Sequence, residues 1–217
     1  MPSKIQEQIR YYQSHLKSGV NLVAVSKTKP VADLQEAYEA GQRDFGENYV
    51  QELVDKVSVL PSDIRWHFIG NLQSNKVKYI APFVYLIHGV NSVSTLKEIQ
   101  KQAAKLNKSI AILLQLHVAT EESKFGFSEE EVLAVAQDQQ AFPNVVFKGV
   151  MGMASFTENQ ELIRSEFKEV KRIFELLKPH FDEKFCEISM GMSSDYELAM
   201  EEGSTLVRIG SAIFGSR

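Results

Sequence analysis

The sequence predicts an α/β protein, a single (β/α)8 TIM-type barrel over residues 1–217, and three observations predict it. Short apolar runs alternate with helical patterns eight times, the rhythm of βαβ units and a parallel sheet. The joints between them are short, as 217 residues require at the low end of a fold that spans roughly 200 to 400. The first strand lacks the G-x-G-x-x-G turn of the competing doubly wound open sheet.

The elements follow in order. Leu22–Ser26 is a short apolar strand, and the helix over Ala32–Ala40 stops at Gly41. Asp44–Gly46 is a brief second strand before a helix over Tyr49–Val57. Trp66–Ile69 precedes a helix near Lys76–Ile80, and Val84–His88 a helix over Ser94–Leu106. Ser109–Val118 leads to Ser128–Gln139, and Phe147–Met151 to Glu161–Leu177. Glu187–Met190 is followed by a helix over Tyr196–Glu202, and Leu206–Ile209 is the eighth strand. No linker, low-complexity tract or composition shift divides the chain, which favours one domain.

Bulk chemistry narrows the function. Hydrophobic residues make up 44% and charged residues 24%, values of an ordinary globular protein. With 24 Lys and Arg against 28 Asp and Glu, the net charge is −4, which gives no electrostatic reason for nucleic-acid binding. Cys186 alone cannot form an intramolecular disulfide and fits a reducing compartment. The amphipathic N-terminus lacks a secretory apolar region, and no apolar run approaches the roughly 20 residues of a membrane span. A cytoplasmic protein without nucleic-acid or membrane partners is expected. The five histidines form no H-x-H or H-x-x-x-H pair, so a zinc site is not expected.

Active groups of such barrels sit at the C-terminal strand ends. There, Lys27 shares a face with Val23 and Val25. If those valines fill the barrel, Lys27 points into the mouth, where partial desolvation frees its amine to form imines. A solvated lysine is the plainer alternative. Lys29 precedes Pro30 and belongs to the departing loop. After the seventh strand comes Met190-Gly191-Met192-Ser193-Ser194-Asp195, and after the eighth Gly210-Ser211. Loops seven and eight commonly bind phosphate, with glycine permitting close approach and hydroxyls donating. Ser193 and Ser194 could instead cap the following helix. Met190 and Met192 either line the mouth or fill it. Arg208 alternates inward with Leu206 and Gly210, while Val207 and Ile209 face the helices. A buried arginine needs a partner, either Glu187 or Glu47 or a ligand's ring nitrogen or carboxylate. Lysine, phosphate loops and inward arginine together describe a cofactor shaped like pyridoxal 5′-phosphate (PLP).

These residues resemble a known family. LVAVSKTKP (Leu22–Pro30), FGENY (Phe45–Tyr49), WHFIGNLQSNK (Trp66–Lys76), EESKFG (Glu121–Gly126), GVMGM (Gly149–Met153), ISMGMSSDYE (Ile188–Glu197) and LVRIGSAIFG (Leu206–Gly215) are similar to blocks of the pyridoxal phosphate homeostasis proteins, the YggS/PROSC type. The resemblance implies a fold-type III PLP barrel, related to the N-terminal domain of alanine racemase. It implies an internal aldimine on Lys27, and a phosphate held by Ser193, Ser194, Gly210 and Ser211. Arg208 would stand beside the pyridine nitrogen, with Asn48 and Met190 also at the cofactor. Two positions depart from the pattern: His117, near a usual asparagine, and Ser155, at a usual proline. Lys124 of the EESKFG block would lie at the mouth.

The implied role is PLP buffering or delivery, with PLP-dependent apoenzymes as receivers and a monomer or weak dimer as the assembly. Arginine accepts no proton, so it leaves the pyridine unprotonated and a weak electron sink. Amino-acid racemisation is the alternative. It needs acid/base groups on both substrate faces, and the related racemase draws one from a C-terminal domain that this sequence is expected to lack. A Schiff-base aldolase is a third reading. A non-catalytic PLP-binding protein is the expectation.

Overall fold

The computed structural model describes residues 2–119 and 126–215. The amphipathic N-terminus forms a helix, α1 (Lys4–His15), entered through a capping box. Ser3 Oγ accepts from the Gln6 N–H at 3.2 Å and the Gln6 side chain accepts from the Ser3 N–H at 3.3 Å, satisfying two of the helix's open donors. The strand–helix units then follow: β1 (Asn21–Val25), α2 (Val31–Glu39), β2 (Asp44–Glu47), α3 (Val50–Val57), β3 (Arg65–Phe68), α4 (Val77–Ile80), β4 (Leu86–Val90) and α5 (Val93–Lys105). The second half comprises β5 (Ile110–Gln115), α6 (Glu129–Gln137), β6 (Val145–Met151), α7 (Gln160–Leu177), β7 (Glu187–Ser189), α8 (Tyr196–Glu201), β8 (Leu206–Ile209) and α9 (Ser211–Phe214). The strands pair in parallel in chain order and β8 closes on β1, as the strand–helix rhythm predicts.

Alternation along each strand divides the apolar residues into two layers. Leu22, Ala24, Val207 and Ile209 join the large core between barrel and helices, while Val23, Leu86, Leu113, Met151 and Leu206 fill the interior. The expected facing of β8 is therefore observed.

Two strands differ most from expectation. β4 starts at Leu86 because the Val84 N–H donates to Ile80 O at 2.9 Å and so still belongs to the helical turn. It then runs through Gly89, where a Cβ would lie 2.2 Å from Gly70 O, a position only glycine can fill. β5 ends at Gln115, short of the expected Val118, since beyond it Leu116 forms only an isolated bridge to Phe127. Among the described residues no helix is long and apolar enough to cross a membrane, and no group of three His, Cys, Asp or Glu side chains could hold a metal ion.

Candidate functional site

The backbone that carries Lys27 is gripped from below. Lys27 lies two residues beyond β1, half-buried in a turn closed by the Lys29 N–H bonding Ser26 O at 3.1 Å. Thr28 has a positive φ of 63°, an unfavourable conformation for a β-branched residue. It is held there because the Glu52 carboxylate accepts its N–H at 2.6 Å. Lys56 Nζ donates to Ser26 O at 2.8 Å, to Glu47 at 2.7 Å and to Glu52 at 2.6 Å, and Ser26 Oγ donates to Glu47 at 2.6 Å. This buried cluster thus binds the backbone on both sides of Lys27. Burial pushes the Glu47 carboxyl above its ordinary range, against the pull of Lys56 and Ser26.

Arg208 is buried inside the barrel, as alternation predicts. Its partners are neither of the expected glutamates. Nη1 donates to Ser189 Oγ at 2.6 Å and Nη2 to Gly152 O at 3.1 Å. Glu47 is committed to Lys56 and Ser26, and Glu187, at the opposite end of its strand from the mouth, accepts from Thr205 Oγ1 at 2.6 Å. Burial lowers Arg208 to about 10, with the charge of Asp195 opposing, so it remains cationic near neutrality. A guanidinium carries five N–H donors, so capacity remains for a ligand acceptor.

The loops after β7 and β8 meet. Ser211 Oγ and Ser193 Oγ lie 3.3 Å apart, Ser193 half-buried and Ser194 exposed. Gly210 packs on β1: a Cβ there would come within 3.0 Å of Val25 O, two residues before Lys27. The capping alternative for Ser193 and Ser194 fails. Asp195 is the N-cap of α8, and its Oδ1 accepts the Met192 N–H at 2.6 Å. Both serine hydroxyls are therefore free of a capping role. Asn48 follows β2 and lines a cavity of about 390 Å3 with Tyr49, Asn71, Gln73 and Lys76. Its Oδ1 is shut off from solvent with no hydrogen-bond partner among the described residues, an expensive arrangement unless a ligand donates to it.

The Met190 side chain is wholly buried in the layer between barrel and helices. Ser189 faces the interior, so its neighbour must face outward. Ser189 is the residue sequence reasoning missed, although the polar–apolar alternation of Glu187-Ile188-Ser189-Met190 carried the signal. Lys124 and the rest of Glu121–Phe125 lie outside the described residues. Of the two departures from the family pattern, Ser155 is explained. Its N–H and Oγ donate to the buried Glu166 carboxylate at 2.7 and 2.6 Å, and a proline could supply neither bond.

The arrangement offers an amine, a buried cation and two converging hydroxyls at one end of the barrel. The family model described as "Alanine racemase, N-terminal domain" matches residues 2–217. A pyridoxal phosphate homeostasis protein of Pasteurella multocida is 37% identical, over 99% of this chain and 95% of its own. The chain belongs to the pyridoxal phosphate homeostasis family. Another family protein, from Schizosaccharomyces pombe, is 39% identical over 98% of this chain and 90% of its own. The solved structure of PipY from Synechococcus elongatus with PLP bound aligns with a TM-score of 0.90 and 34% identity, covering 97% of this chain and all of that one. Alanine racemase from Bartonella henselae shares the fold at a TM-score of 0.77 and 21% identity, over 98% of this chain and 58% of its own.

Proposed function

We propose that this chain is a single PLP-binding barrel domain that holds the cofactor as a Schiff base on Lys27 and serves intracellular PLP homeostasis by buffering or delivery. The observation that carries the reading is the convergence of the Lys27 turn, the buried Arg208 and the Ser193–Ser211 hydroxyl pair at one barrel mouth. The PLP-bound PipY structure and the names of the relatives support it.

The residues fit the group. A phosphate needs donors and close backbone approach, which Ser193, Ser194, Ser211 and Gly210 offer. A pyridine nitrogen is an acceptor, and Arg208 has donors to spare. Asn48 Oδ1, at the end of β2 beside β1, is buried without a partner among the described residues and calls for a donor. When bound, PLP supplies an electrophilic aldehyde carbon, and the chain supplies the amine that holds it.

The reading is of a non-catalytic protein. Arg208 cannot take up a proton, so it does not stabilise a protonated, electron-withdrawing ring. The relatives' names describe homeostasis. Apoenzymes are the receivers, and the protein acts in the cytoplasm as a monomer or weak dimer, with neither nucleic acid nor membrane as partner. The decisive test is the absorption spectrum of wild type and Lys27→Ala with PLP. Wild type should show a borohydride-reducible band that Lys27→Ala lacks. A reducible band in the variant refutes the assignment. Exchange of an amino acid's α-proton with solvent above the free-PLP rate would overturn the non-catalytic reading.

A further inference from the structure

The polar groups inside the barrel form one continuous chain from mouth to floor. Arg208 Nη1 reaches Ser189 Oγ at 2.6 Å, and Ser189 Oγ lies 2.9 Å from His88 Nδ1. His88 Nε2 lies 2.9 Å from His67 Nδ1, and His67 Nε2 lies 2.9 Å from Asp44 Oδ1. Asp44, the first residue of β2, is closed off by Arg65 Nε at 2.7 Å. Here, at the opposite end from Lys27, a cavity of about 230 Å3 opens between Asp44, Arg65, His67, Tyr85, Lys148 and Glu187.

One direction of donation satisfies both ends of the chain. A guanidinium only donates, so Ser189 Oγ accepts from it and gives its own proton to His88 Nδ1. His88 then carries its proton on Nε2 and donates to His67 Nδ1. His67 likewise donates from Nε2 to Asp44, a carboxylate that only accepts. Every donor then points from Arg208 toward Asp44.

Arg65, Lys148, Glu187 and Tyr85 face the cavity beside Asp44 and His67. His88 faces His67 and Arg208, and Arg208 faces Asp195. Burial, then His67 and Arg208, hold His88 well below the ordinary histidine range, so its ring is uncharged near neutrality.

We propose that Ser189, His88 and His67 are positioning residues that lock Arg208 into one donor arrangement toward the cofactor ring. The cofactor part rests on the PLP reading above. The chain itself is tested without cofactor, by 15N–1H correlation of the histidine rings. Near about pH 7.5 His88 should be the Nε2–H tautomer. In Ser189→Ala, His88 should lose that single tautomer, and Ser189→Thr, which keeps the hydroxyl, should restore it. With PLP, Ser189→Ala should release the cofactor about tenfold faster, the scale of one hydrogen bond to a charged group, and Ser189→Thr should not. A His88 tautomer in Ser189→Ala identical to wild type, or mixed tautomers in wild type, overturns the chain. Unchanged PLP release overturns its role toward Arg208. Failure of wild type to take up PLP would sink the functional reading alone, because the ring spectra do not depend on it.

Discussion

Replacing Lys56 with methionine tests the cluster beneath Lys27 most directly. Methionine keeps the length of the side chain but removes the ammonium that donates to Ser26 O, Glu47 and Glu52. Glu47 is wholly buried and Lys56 nearly so, so solvent cannot replace the lost cation. Removing one partner of a buried ion pair costs about 3–5 kcal/mol. In a chain of this size that corresponds to a fall in melting temperature of roughly 6–20 °C. The loss should depend on pH. Burial already raises the folded-state value of Glu47 above its unfolded one, and without Lys56 it rises further. Between those values the folded state binds more protons than the unfolded, so stability increases as pH falls through the folded value. The deficit of Lys56→Met should therefore be largest near about pH 8 and shrink toward about pH 5. Adding Glu47→Gln should recover much of it, because a neutral amide needs no cation. Urea unfolding of wild type, single and double variants at several pH values is the assay. A loss below about 1 kcal/mol, a pH-independent loss, or no recovery in the double variant would refute the reasoning.

Three further expectations follow from the same geometry. Gly191 has a φ of 94°, and a Cβ there would sit 2.5 Å from Ala199 Cβ; Gly191→Ala should cost about 2–4 kcal/mol by thermal unfolding and weaken PLP affinity by displacing Ser193. Ser155→Ala removes the hydroxyl bond to the buried Glu166, so urea titration should show a loss of about 1–3 kcal/mol; an unchanged midpoint would mean that Glu166 finds another donor. His88 is held neutral, so the unfolded state binds the extra proton as pH falls below about 6.5. Stability should then decline by up to about 1.4 kcal/mol per pH unit, a slope that His88→Gln should flatten.

By itself, the sequence determined the barrel, because strand–helix alternation is a local property and parallel strands demand crossovers. It also placed Lys27, Ser193, Gly210, Ser211 and Arg208 at strand ends or inside, since a period of two assigns a face to every strand residue. The motif block around Met190 carries no face, whereas the alternation of its own strand turns that side chain outward. Partner choice belonged to the tertiary structure alone. Arg208 found Ser189 rather than Glu187 or Glu47, a matter of height in the barrel and of prior commitments. His67 and His88, 21 residues apart on adjacent strands, met only because parallel pairing brought β3 beside β4. The grip of Glu52 and Lys56 on the Lys27 turn likewise joins residues of α3 to a loop 24 to 30 positions away. Such contacts are set by register and packing, which the barrel's closure decides and no local pattern encodes.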